Sequence, residues 1–487
     1  MSTEQKIEMD LLKLERMDRG LVAANRALPG VLSHEQYTKL RYAFALARLT
    51  AFAPGAARSG GREARLSVRV APEGIAKLRQ RLLARLGPAL VPELESGAQL
   101  IRARRWLTKL RPEITETRAA LLRHHLNDFS VGELDAELGH KTLVVVAGGG
   151  GGAGYIYLGA FDALDRVGLT PGLLVGSSMG SVIGLFRARQ RKPDFRSHLK
   201  LATSLDPEQV FRFVGLNRRY GLPGIMRLFL QHSIGETFRF PDGTGYRIED
   251  LEIPFIPVVA GVRPDALRSP PEEWGEQQHL GGAERPNRLA LSAQVGRQLV
   301  QLARFLTPVA VKQIGMGADD LTRSANAVDA VGFSAAIPGI LHYDVTRDDP
   351  PMVAILDAVM ERDEVVALVD GGVAANVPAC LAWRTVQEGR IGTRNAYILA
   401  WDCFSPRLAL SQAWLWPVMR LVQLQLAEQQ RYATHLLQFD KTLSPMTLLP
   451  GRPLLERIMA EGRRQTDAIL PEVQAVMAPF GWVEESA

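Results

Sequence analysis

The chain has 487 residues, of which 46% are hydrophobic and 23% charged, a globular composition with ample apolar material for a large core. Its only cysteines, Cys380 and Cys403, exclude a disulfide framework and favour a reducing compartment. The net charge of +6 is uneven: residues 1–140 hold 23 Lys+Arg and 16 Asp+Glu, or +7, and the remainder carries −1.

The basic N-terminal region has two interpretations. It is either a solvated helical surface or a face that approaches an anionic membrane. Nucleic-acid binding is not expected, because no recognition motif accompanies the charge. The first twenty residues lack the apolar core of a signal peptide, and no run of about 18 apolar residues predicts a membrane-spanning helix. We therefore expect a cytoplasmic protein, with peripheral contact at the inner membrane surface as the alternative.

The chain divides into three predicted regions. Residues 1–140 are mostly helical, with a small-residue linker at 53–62. From residue 141 the pattern becomes strand (142–147), glycine-rich loop, helix (155–167), strand (173–175), tight turn and helix. That order is typical of an α/β domain with a mainly parallel sheet, expected to end at residue 403. Residues 404–487 are predicted to be helical.

Three further strands are predicted at 255–262, 365–369 and 397–401. The insertion between the first two, 263–315, is a candidate lid, with a surface loop at 263–288 and helical periodicity at 289–314. In the C-terminal region, Trp414 and Trp416 are either core residues or an interfacial anchor.

The first motif with chemical meaning is Gly176-Ser177-Ser178-Met179-Gly180. A serine at a tight turn between a strand and a helix presents its hydroxyl outside the sheet, and the flanking glycines relieve crowding. The helix N-terminus behind it favours developing negative charge. Ser178 is therefore the candidate nucleophile.

The second motif is the glycine run 148–152, followed by Ala153 and Gly154. Consecutive glycines let backbone N–H groups converge on one point and stabilise an oxyanion. The spacing of Gly149, Gly151 and Gly154 also fits a dinucleotide-binding loop, but the acidic residue expected at the end of the next strand is missing. The predicted oxyanion-hole residues are Gly149, Gly150, Gly151 and Gly152.

The third motif is Asp370-Gly371-Gly372, after the predicted strand 365–369. A carboxylate at the C-terminal end of a buried parallel strand would share one sheet edge with Ser178. Asp370 could then act as the general base of the serine.

The three motifs in this order resemble the patatin-like phospholipase family, which pairs a Gly-rich oxyanion loop with a Gly-x-Ser-x-Gly serine and an Asp-Gly-Gly/Ala aspartate. A fourth element of the family, small residues before Ile-Pro-Gly, matches residues 334–339. The resemblance covers about 143–403 and implies a three-layer α/β fold, a Ser178–Asp370 dyad and a lipid acyl-ester substrate, without a metal or organic cofactor. The matching motif glycines are Gly149, Gly150, Gly151, Gly154, Gly176, Gly180, Gly371 and Gly372.

One position departs from the family pattern. Ala153 stands where the family usually has Arg or Lys, which removes a positive charge beside the site but leaves the backbone amides. A Ser–His–Asp mechanism would need a late histidine, and the only candidate, His435, lies in a stretch predicted to be helical. His342 has no assigned role. Two alternatives stay open: an acyltransferase with the same nucleophile, and a non-catalytic lipid-binding protein.

Overall fold

A computed structural model describes residues 2–55, 67–70, 72–87, 90, 97–212, 219–222, 224–266, 310–345, 347–404 and 416–483. Most of the predicted insertion, residues 267–309, lies outside these ranges, as do Trp414 and the side chain of Trp416. The question of a lid or a tryptophan anchor therefore stays a prediction.

The described residues form fifteen α-helices and twelve strands. The helices are α1 (Thr3–Ala27), α2 (His34–Arg48), α3 (Pro72–Leu86), α4 (Gly97–His124), α5 (Val131–Gly139), α6 (Ile156–Arg166), α7 (Met179–Arg189), α8 (Phe195–Ser204), α9 (Pro207–Val210), α10 (Leu230–Ser233), α11 (Ala327–Ser334), α12 (Pro350–Asp363), α13 (Ala379–Gln387), α14 (Trp416–Gln429) and α15 (Arg452–Met477). The strands are β1 (Ala51–Phe52), β2 (Val68–Arg69), β3 (Thr142–Ala147), β4 (Leu173–Ser177), β5 (Phe211–Arg212), β6 (Gly224–Leu228), β7 (Phe255–Val262), β8 (Val311–Gly315), β9 (Gly339–His342), β10 (Ala367–Asp370), β11 (Ala396–Asp402) and β12 (His435–Gln438).

The main sheet has the order β10-β7-β4-β3-β11-β12, and β8 also pairs with β7. The strands from β7 to β12 along this path are parallel, whereas β8 and β10 run antiparallel to β7. Alternate residues of β3 pack into two different apolar clusters, with Val145 in one and Val144 in the other. The predicted α/β class with a mainly parallel sheet, covered on both faces, is thus confirmed.

The position of β10 corrects the prediction of a parallel strand before Asp370. Val258 pairs with both Ser177 of β4 and Gly315 of β8, while Val259 pairs with Asp370 and Ile314. Because β8 occupies one edge of β7, both β4 and β10 lie along the other edge. They meet head-on, and the carboxyl ends of the two strands abut.

Two helical predictions are wrong. Residues 311–314, the end of the segment expected to be helical, belong to β8 and pair with β7. His435 begins β12, which extends the parallel sheet beyond β11. The C-terminal region therefore supplies a strand of the main sheet as well as helices. Short apolar runs of this kind do not distinguish a buried strand from a helix.

The N-terminal helices α1–α5 share an apolar core of their own. Helices α1, α2 and α5 each begin at a serine capping box, at Ser2, Ser33 and Ser130. The buried Arg41 joins this region to the rest of the molecule, because its guanidinium donates to Asp18 at 3.0 Å and to the Val476 carbonyl near the end of α15 at 2.5 Å. Lys141, directly before β3, lies 3.3 Å from the same aspartate.

No helix within the described ranges combines the length and apolar character needed to cross a bilayer.

Candidate active site

Ser178 occupies a strained turn between β4 and α7. Its φ of 50° lies in the left-handed region, which a residue with a side chain rarely adopts. A Cβ atom at Gly180 would lie 2.1 Å from the carbonyl oxygen of Ala147, and one at Gly176 would lie 2.7 Å from that of Gly180. Both positions of the predicted motif therefore require glycine, and α7 points its N-terminus at the serine.

A residue without a predicted role holds the backbone of Ser178. The Ser178 N–H donates to both the carbonyl and the hydroxyl oxygen of Ser334 at 3.1 Å, and the Ser334 hydroxyl donates to the Val258 carbonyl at 2.5 Å. Ser334 ends α11, directly before the Ile-Pro-Gly element. These bonds connect the serine turn to β7, and the only sequence signal that could have indicated them is the run of small residues before Ile-Pro-Gly.

Asp370 lies buried at the junction of β4 and β10. Its Oδ1 atom accepts a hydrogen bond from the Gly372 N–H at 2.7 Å. Burial raises the pKa of the carboxyl group to about 7, against the smaller lowering effects of the Ser178 hydroxyl and the Gly372 amide. Its Oδ2 atom has no well-aligned hydrogen-bond partner among the described residues. Catalytic hydrogen bonds are often poorly aligned until substrate binds, so this oxygen is available to the serine hydroxyl.

The Asp-Gly-Gly motif has a packing reason as well. A Cβ atom at Gly371 would lie 2.0 Å from the Val258 carbonyl oxygen. The chain after Asp370 can therefore approach β7 only without a side chain. This close approach places the carboxylate beside the end of β4.

The glycine loop lies against the serine, but only part of it can hold an oxyanion. A Cβ atom at Gly149 would lie 2.9 Å from the Cβ of Ser178. The N–H of Gly149 donates to the Asn376 carbonyl at 3.1 Å, and that of Gly152 to the Pro445 carbonyl at 2.9 Å. These two amides are occupied, which corrects the prediction that all four glycines donate. Within the described residues, the amides of Gly150 and Gly151 make no hydrogen bond.

Two other residues connect the motifs. The Asn376 carbonyl also accepts the Ser177 hydroxyl at 2.5 Å, so this residue joins the glycine loop, the serine turn and the segment after Asp370. Cys403 is buried after β11, with its Sγ atom 3.5 Å from the Gly149 carbonyl. Burial raises the pKa of this thiol, which keeps it neutral.

Ala153 is buried and its N–H donates to the Gly150 carbonyl at 3.1 Å. Its side chain belongs to the apolar core beneath the loop. Gly154 packs on the residue after the nucleophile, because a Cβ there would lie 2.5 Å from the Cγ of Met179.

An apolar cavity opens beside Ser178. Among the described residues that line it, only Ser178 and Tyr155 have a polar side-chain atom, and none carries a charge. Its walls come from α6, α7, the α8–α9 segment and β9, together with Leu448 and Leu449 from the C-terminal region. Such a cavity suits a hydrocarbon chain and disfavours a charged group.

Neither histidine considered from the sequence is among the described residues that line the cavity beside Ser178. His435 starts β12, at the amino end of a strand three positions from β4 in the sheet, and its Nδ1 lies 3.2 Å from Arg19. His342 is buried at the end of β9, where its Nδ1 lies 2.9 Å from the Leu222 carbonyl oxygen.

The family model described as patatin-like phospholipase matches residues 144–383. This range includes the glycine loop, Ser178, Ser334 and Asp370. No curated protein matches the chain.

Proposed function

We propose that this protein hydrolyses lipid acyl esters with a Ser178–Asp370 dyad. The match of residues 144–383 to the patatin-like phospholipase family, a family of lipid acyl hydrolases, supports the general activity. One observation carries the proposal: a serine in a strained strand-to-helix turn faces an uncharged apolar cavity and abuts a buried aspartate. The cavity would take the acyl chain.

The reaction has two half-reactions. As the Ser178 hydroxyl oxygen attacks the ester carbonyl carbon, its proton passes to Asp370, and the oxyanion accepts hydrogen bonds from the Gly150 and Gly151 amides. Collapse of this intermediate breaks the bond to the alcohol, which leaves with the proton from Asp370. Water then gives a proton to Asp370 as its oxygen attacks the acyl-enzyme carbonyl carbon. Collapse of this second intermediate breaks the bond to the Ser178 oxygen, which takes the proton back from Asp370, and the fatty acid is released.

The buried aspartate suits this role. A base with a pKa near 7 is ionised to a useful extent at neutral pH and is basic enough to take the serine proton. The neutral cavity wall supports a substrate whose acyl part is uncharged.

The direct test measures fatty-acid release from mixed lipid vesicles and from a p-nitrophenyl ester. Ser178→Ala and Asp370→Asn should each lower turnover by at least about a thousandfold. Asp320→Asn, at an exposed carboxylate, is the matched control and should retain wild-type turnover. A fluorophosphonate adduct should map to Ser178. Substantial activity in either folded active-site variant, or an adduct on another serine, would refute the dyad.

A further inference from the structure

The loop formed by residues 444–449, here called the C-terminal loop, contacts the glycine loop although it lies outside residues 144–383. It is part of the connection between β12 and α15, residues 439–451. Its Pro445 carbonyl accepts from the Gly152 N–H at 2.9 Å, and its Leu448 carbonyl accepts from the Tyr155 hydroxyl at 2.8 Å. The two loops are thus joined at both ends of the short helix 151–155.

The packing between the two loops is backbone against backbone. A Cβ atom at Gly151 would lie 2.3 Å from the Pro445 carbonyl oxygen, and one at Gly152 would lie 2.2 Å from that of Thr447. Gly151 also has a φ of +52°, which favours glycine. The glycines at these two positions therefore accommodate the C-terminal loop, which cannot shift without disturbing the oxyanion amides.

The same loop contributes to the cavity beside Ser178. Leu448 and Leu449 both line it and are half-buried. Because the backbone of the loop is held at Pro445 and Leu448, these side chains form a fixed part of the wall.

We propose that the C-terminal loop is a specificity-determining element of the active site, in which Leu448 and Leu449 set the length of acyl chain that the cavity accepts. This inference rests on the proposed ester hydrolysis. It names the part of the chain that selects the acyl group of the substrate. Each methylene group that the cavity buries is expected to raise kcat/KM about fourfold. A wall that excludes the last several carbons of a long chain therefore changes the ratio between long and short esters strongly.

The test compares kcat/KM for p-nitrophenyl butyrate, octanoate and palmitate. Leu448→Phe and, separately, Leu449→Phe narrow the cavity, and the palmitate-to-butyrate ratio of kcat/KM should fall at least about tenfold. Leu454→Phe is the matched control, because Leu454 is a half-buried leucine in the same region that does not line the cavity. Its ratio should equal that of the wild type.

Equal losses for all three esters, unchanged ratios in both variants, or the same shift in the control would overturn the inference. A ratio reports a change in selection that general destabilisation would not produce. If one phenylalanine variant does not fold, the other carries the test, and Leu448→Ala should shift the ratio by lengthening the cavity.

A binding measurement separates failure of this inference from failure of the proposed reaction. In the Ser178→Ala background, palmitate and octanoate binding can be followed by thermal shift without turnover. If hydrolysis depends on Ser178 but the loop variants keep the chain-length profile of the wild type, only the proposed role of the loop is contradicted. Selective loss of palmitate binding in Leu448→Phe, with no esterase activity in the wild type, would support the loop and refute the reaction.

Discussion

The raised pKa of Asp370 links activity and stability to pH in opposite directions. Burial moves the pKa of this carboxyl from its ordinary value of 3.8 to about 7. As the proposed base, Asp370 accepts the serine proton only when it is ionised, so we expect about a tenth of the enzyme to be active at pH 6 and about nine tenths at pH 8. The kcat/KM for an uncharged ester should rise with an apparent pKa near 7, measured with Ser178→Ala as the blank for spontaneous hydrolysis.

The free energy of unfolding should fall over the pH range in which activity rises. The folded state holds the proton of Asp370 more tightly than the unfolded state, so the stabilisation is present below pH 4 and is lost as pH rises to about 7. At 1.36 kcal/mol per pKa unit, the loss amounts to about 4 kcal/mol.

Asp370→Asn removes this ionisation while preserving the shape of the side chain. The variant should be inactive, and by pH 8 it should be more stable than the wild type by up to about 4 kcal/mol in denaturant unfolding. The advantage should shrink towards pH 5. A flat activity profile between pH 5 and 8, or a variant less stable than the wild type at pH 8, would show that Asp370 is not a base whose pKa burial raises to about 7.

Three other variants test the supports of the site and of the fold. Ser334→Ala removes the hydroxyl that joins Ser178 to Val258, and it should lower kcat about tenfold with KM within about twofold; a change in KM alone would contradict a positioning role. Asp18→Asn leaves Arg41 and Lys141 buried without their anion and should lower the free energy of unfolding by about 3–5 kcal/mol. The control, Glu116→Gln at an exposed ion pair, should lower it by less than about 1 kcal/mol. Gly180→Ala drives a methyl group into the Ala147 carbonyl and should abolish soluble expression or activity, while Gly132→Ala, which meets no atom within 4 Å, should be neutral or slightly stabilising.

The motifs of the site could be predicted because each depends on local chain geometry. A glycine is required wherever a Cβ atom would lie within about 3 Å of another part of the backbone, and Gly180 and Gly371 are such positions. The meeting of Ser178 and Asp370 was expected for an incorrect reason, however. No local sequence pattern predicts that β10 runs antiparallel to β7 and ends against β4, because the direction of a strand depends on the strands with which it pairs.

The contributions of distant segments could not be predicted. Residues 444–449 carry no motif, and their importance comes from β12, which returns the chain beside β11 and so brings the following loop to the glycine run. β12 itself is only four residues long, too short for its periodicity to separate strand from helix. Ser334 was visible only as one small residue among several.

The position of Ala153 in the fold explains why this residue departs from the family pattern. From the sequence, the missing basic residue was the only support for a non-catalytic protein. In the fold, Ala153 is buried in the apolar core beneath the glycine loop, where a charged side chain would have to be desolvated at a cost of several kcal/mol. The loop is instead held by hydrogen bonds to Asn376 and Pro445, neither of which needs a charge at position 153. An alanine is therefore what this packing requires, and its presence argues for a differently supported oxyanion loop rather than for a decayed one.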